Sequence, residues 1–75
     1  MMEKYRDLSE NSGVTGYEIL EEGIVLQFGS EKFYLYDYQM PGKDHVENMK
    51  VLVERGEGLT TYINQYVREN YRRKW

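Results

Sequence analysis

Cysteine and alanine are both absent from this chain, and proline and histidine occur once each. Without cysteine no disulfide can staple the fold, and no thiolate zinc site can form. A single histidine leaves few nitrogen ligands for a metal, and no cofactor-binding motif stands out, so neither metal nor cofactor is expected. No apolar run approaches the ~20 residues of a membrane span. The opening Met1-Met2-Glu3-Lys4-Tyr5-Arg6-Asp7 lacks the apolar stretch of a signal peptide. A cytoplasmic protein with no membrane contact is therefore the expectation. Seventy-five residues allow one domain around one thin core, too small for a multi-lobed enzyme.

What the chain does have is a globular balance of 40% hydrophobic and 31% charged residues. Its aromatic content reaches 15%, with eight Tyr, two Phe and one Trp. Tyrosine brings a hydroxyl that needs water or a partner, so rings of this kind line the edge of a core and serve packing or binding. Charge is uneven. Residues 1–57 carry six basic and twelve acidic side chains, whereas residues 58–75 carry four basic and one acidic. Contact with a polyanion would have to come from the C-terminal segment.

Residues 1–12 show weak helical spacing at Met2, Tyr5 and Leu8 before a polar run, which reads as a tail or short helix, or as a cap over a sheet. Residues 13–75 read as a single α+β domain. Three β-type runs follow one another, Val14–Leu20, Ile24–Phe28 and Phe33–Gln39, separated by Glu21-Glu22-Gly23 and Gly29-Ser30-Glu31. Short glycine-containing loops between them predict an antiparallel meander. After Pro41-Gly42, Asp44 and Glu47 have the spacing of a capping box. Val46, Met49, Leu52 and Val53 mark a helix face, and Gly56 supplies its stop. Leu59, Tyr62, Ile63, Tyr66, Val67 and Tyr71 predict a second helix, capped by Thr60 or Thr61, with Arg72, Arg73 and Lys74 complementing its dipole. The expected fold is a three-stranded meander followed by two C-terminal helices packed on one sheet face. The other face meets solvent, the N-terminal segment or a partner.

Catalytic candidates are few. His45 is the available base and Ser9, Ser12 and Ser30 the available nucleophiles. The serines fall in turns and the polar run, and His45 follows the helix cap, where the dipole disfavours a protonated ring. A solvent-facing histidine is the simpler reading, so no catalytic residue is assigned and enzymatic activity is not expected. Glu21-Glu22 and Glu54/Glu57 lack the spaced oxygen ligands of a calcium loop, and Gly56-Glu57-Gly58 lacks the lysine of a phosphate-cradling loop.

Tyr34, Tyr36 and Tyr38 share one face of a strand because side chains alternate. On an open sheet they would form a stacking platform for single-stranded nucleic acid, with Arg68, Arg72, Arg73 and Lys74 of a basic C-terminal helix meeting phosphates. Turn length decides whether that face is open. A two- or four-residue loop after Phe28 pairs Leu26 with Leu35 and groups the tyrosines with Val25 and Gln27. A three-residue loop pairs Leu26 with Tyr34 and Ile24 with Tyr36, drawing the tyrosines into the core. The apolar side of the second strand needs partners, which favours burial of Tyr34 and Tyr36. Trp75 is either a frayed end or an anchor folded back on the sheet.

The order Gly16-Tyr17, Ile24/Leu26/Phe28, Tyr34-Leu35-Tyr36, Pro41, Gly56 and Ile63 resembles the KTSC domain. That module occurs alone in bacteria and at the C-terminus of some lysyl-tRNA synthetases. The likeness runs across most of residues 14–67. It departs in one extra residue between Tyr36 and Pro41, in Leu52-Val53-Glu54-Arg55 before the helix-ending glycine, and in Leu59-Thr60-Thr61 where the family has Phe-Asn. The resemblance implies the α+β fold and, from the synthetase context, contact with RNA. The functional expectation is a non-catalytic binding module for RNA. The alternative is a protein-interaction module or homodimer that uses the uncovered sheet face.

Overall fold

A computed structural model describes residues 2–8 and 12–75. Met1 and Ser9-Glu10-Asn11, with the candidate nucleophile Ser9, lie outside the described residues. The fold is α+β with an antiparallel sheet, and the three expected runs form its centre. The elements in chain order begin with strands β1 (Glu3–Lys4), β2 (Val14–Leu20), β3 (Gly23–Phe28) and β4 (Lys32–Asp37). Helix α1 (Lys43–Arg55) and short helix α2 (Leu59–Tyr62) follow, and α2 continues as a π-helical turn over Ile63–Val67. Strand β5 (Arg73–Lys74) closes the chain, and the sheet order is β1-β2-β3-β4-β5.

The turn after β3 contains Gly29, Ser30 and Glu31, and Gly29 supplies the positive φ of 64° that a side chain resists. Phe28 therefore faces Lys32, Leu26 faces Tyr34, and Ile24 faces Tyr36. This is the three-residue register, and it turns the tyrosine face toward the helices. Ile24, Leu26 and Tyr36 then meet Val46, Met49 and Val53 of α1, and Leu59, Ile63 and Val67 from the second helical segment. Tyr36 is only 2% exposed.

Four expectations are corrected. First, the meander has two further strands, each two residues long, at its edges. Second, residues 3–5 form no helix. Glu3 and Lys4 pair with Tyr17 and Gly16, and Tyr5 enters the core. The Arg6 guanidinium donates to the Glu54 carbonyl and the Leu8 amide to that of Gly56, tying this segment to the end of α1. Third, neither helix has a side-chain cap: α1 starts after Gly42 and α2 after Gly58, both at positive φ. Glu47 is instead taken by the Tyr38 hydroxyl and Lys50. Gly56 does end α1, at φ 81°.

The fourth correction matters most for function. The second helix does not reach Arg72, Arg73 and Lys74. Its last turn widens so that the Arg68 amide donates to the Ile63 carbonyl at 2.6 Å, and Arg68 leaves the helix at φ 40°. The chain then returns along β4. Arg72 donates to the Leu35 carbonyl, and Phe33 and Trp75 exchange two hydrogen bonds of 2.9 Å. The unpaired edge of β4 has obligatory donors and acceptors to satisfy, and residues 72–75 satisfy them. Trp75 is an anchor folded back on the sheet.

Candidate functional site

Because side chains alternate across the sheet, the β4–β5 register sorts the basic C-terminus onto two faces. Lys74 lies opposite Tyr34, on the helix side, and Arg73 lies opposite Leu35, on the outer side. Where β5 and the π-helical turn diverge, they leave an open groove of about 530 Å³. Phe28, Tyr34 and Tyr71 give it an aromatic lining. The Tyr34 ring stands edge-on to Phe28 at 5.1 Å and to Tyr71 at 5.0 Å. Asn64 contributes an amide from the π-helical turn.

Lys32, Arg68 and Lys74 line the same groove against one carboxylate, Glu69. This local excess of positive charge stands out on a chain of net charge −3. Lys74 Nζ lies 5.9 Å from the centroid of Tyr71, within cation–π range. Arg68 reaches the rim through a backbone conformation that disfavours any side chain. Strain and π-turns of this kind recur at functional sites. Beneath, burial and the neighbouring Tyr34 and Tyr71 push the Tyr36 hydroxyl up to about 12, so it stays protonated and donates to the Arg68 carbonyl at 3.5 Å.

Of the seven expected binding residues, Tyr34, Tyr36, Arg68 and Lys74 are brought together here, and Tyr38, Arg72 and Arg73 are not. The three tyrosines make no open platform: Tyr36 is buried and Tyr34 half-buried. Tyr38 clasps α1, its hydroxyl donating to Glu47 Oε2 at 2.7 Å, with Lys43 and Lys50 each 5.7 Å from its ring centroid. Arg72 lies 3.6 Å from Asp37. Arg73 lies over Trp75, 5.9 Å from the ring centroid, on the opposite face. Lys32, Asn64 and Tyr71 were missed as site residues. Lys32 stands two residues before Tyr34, so strand alternation alone would have added it.

The catalytic candidates His45 and Ser12 make hydrogen bonds within the fold. His45 Nδ1 and the Tyr62 hydroxyl are 2.7 Å apart, and Asn48 donates to the same hydroxyl. Ser12 Oγ bonds Thr60 and accepts from the Val14 amide. Among the described residues no group of three or more His, Cys, Asp or Glu is arranged to hold a metal ion, and no helix is long and apolar enough to cross a membrane. Compared with known proteins, the chain matches no family model, no curated protein and no solved structure.

Proposed function

We propose that this chain is a small non-catalytic binding module whose groove between β4, β5 and the π-helical turn receives single-stranded RNA. The observation that carries this reading is the set of cations, Lys32, Arg68 and Lys74, around the half-buried rings of Tyr34 and Tyr71. An unstacked base presents a π-face and its flanking phosphates present charge, and the groove offers a ring and a cation to each. Its volume falls in the range of about 300–1,000 Å³ typical of small-ligand sites. That suits a splayed base with its phosphate. A duplex keeps its bases stacked and has nothing to lay against Tyr34 or Tyr71. The motif order shared with the KTSC domain, proposed here as a true relationship, supports the same ligand, and the cytoplasm is the compartment where it would be met.

Fluorescence anisotropy with a labelled single-stranded oligoribonucleotide tests the reading. Three phosphate contacts predict a log–log salt slope of about −2. Combining Lys32→Ala, Arg68→Ala and Lys74→Ala is expected to abolish that slope and most of the binding. No binding at low salt, or binding indifferent to the triple substitution, would sink it.

A second reading, a protein-interaction module or homodimer, is favoured by a different observation. The outer sheet face carries Phe33, Leu35 and a 57% exposed Trp75, and among the described residues the helices pack on the other face.

A further inference from the structure

The outer face of the sheet is ordered in rows that the strand registers define. One row runs Glu18, Val25, Leu35 and Arg73 from β2 to β5, so an acid and a base flank two apolar side chains. The next row runs Lys4, Gly16, Gln27 and Phe33 from β1 to β4, and ends at Trp75 through the two hydrogen bonds that join it to Phe33. Phe33 and Trp75 stack at 5.9 Å with their planes 17° apart. Val25 is 8% exposed but does not belong to the core cluster under the helices.

Such a row is complementary to its own reverse. We propose that two copies of this chain associate through these faces about a two-fold axis parallel to the strands, between β3 and β4. That operation reverses each row. It sets Glu18 against the partner's Arg73 and Val25 against the partner's Leu35, twice over, as an isologous interface requires. It also sets the Trp75 indole over the partner's Gly16, where the partner's Gln27 side chain lies across the glycine and meets the ring. A two-fold axis across the strands would instead stack Glu18 on Glu18 and Arg73 on Arg73. Charge therefore selects the axis. Glu18 need not surrender any contact within its own chain, since a carboxylate accepts several hydrogen bonds.

The size of the face sets the strength. Three strands of ~20 Å and the two-residue β5 of ~7 Å, at ~4.8 Å spacing, present roughly 320 Å² per copy, about two-fifths of what a standard interface buries on each partner. The dimer is accordingly a weak one, formed at high micromolar concentration. The inference specifies the second reading above and is independent of the RNA groove, which lies on the opposite face.

Sedimentation equilibrium from about 10 µM to 1 mM tests it. The mass is expected to rise from 9.0 kDa toward twice that value. Emission of Trp75, the sole tryptophan, should shift to the blue over the same range in the unmodified protein. Arg73→Glu and Glu18→Arg are each expected to weaken self-association by about tenfold or more, since both contacts become like-charged. Mixing the two variants in equal amounts is expected to restore it, because each contact then joins a carboxylate of one copy to a guanidinium of the other. A monomer at every concentration overturns both the interface and self-association. A dimer that ignores the substitutions and gains nothing on mixing overturns this interface alone.

Discussion

Tyr36 lies on β4 and Tyr38 just past its end, and both hydroxyls are pushed up to about 12, for different reasons. For Tyr36 the main cause is burial beneath the second helical segment. For Tyr38 it is the hydrogen bond to Glu47, reinforced by the charges of Glu47, Glu22 and Glu21. The same bond, with help from Lys50, holds the Glu47 carboxyl below its ordinary 4.5. The signs follow from linkage. Glu47 has a depressed folded value, so its contribution is complete above 4.5 and fades as pH falls through that lower value. Tyr38 has a raised one, so its contribution is complete below 10.0 and fades as pH rises through about 12. Glu47→Gln removes the carboxylate and leaves the core alone. In ring-labelled protein followed by NMR, the Tyr38 midpoint is then expected to fall toward 10.0 while Tyr36 remains at about 12. Both moving together, or neither moving, would contradict these causes.

The π-helical turn and β5 belong together, because the chain must leave the helix at Arg68 to reach the edge of β4. Arg68 bears the cost at φ 40°, a region in which glycine is unstrained. Arg68→Ala keeps a Cβ and hence the strain, whereas Arg68→Gly relieves it. The glycine variant is expected to be more stable than the alanine variant by about 1 kcal/mol, after glycine's own entropic cost in the unfolded chain is offset. Urea midpoints of the two would show this, and equal midpoints would mean that the strain is absent. Period-3.6 spacing cannot see this exit. Tyr71 continues the helical phase of Ile63 and Val67, yet its ring is claimed by Tyr34 and Tyr36 at 5.0 and 6.3 Å. The meander was legible because β2, β3 and β4 each span six or seven alternating residues between turns. Likewise α1 declared itself through Val46, Met49, Val53 and Gly56. Strands of two residues, β1 and β5, carry no alternation to read; they exist because a meander has edges to fill. The groove was half legible for the same reason. Its tyrosines and Lys74 stood out by type, but their convergence with Lys32 depends on β5 returning to β4.

Without disulfides, a 75-residue chain has a total stability of roughly 4–11 kcal/mol, and its core must draw on both ends of the sequence. The folded surface of 4996 Å² matches the roughly 4,900 Å² expected of a compact chain of this mass. At one end, β5 closes β4 and brings Lys74 to the groove. At the other, β1 closes β2 and delivers Tyr5, only 3% exposed, into the cluster with Val14, Leu59 and Ile63. A tail residue could be truncated with an effect within about 0.5 kcal/mol. Tyr5→Ala instead removes a large buried ring, for which about 3 kcal/mol is the expected loss. That is a quarter or more of everything the fold has, so denaturant titration should show the midpoint falling far below that of the parent. An unchanged midpoint would return residues 2–8 to the status of a tail. The large loss would mean that the segment least legible in the sequence is one the thin core cannot do without.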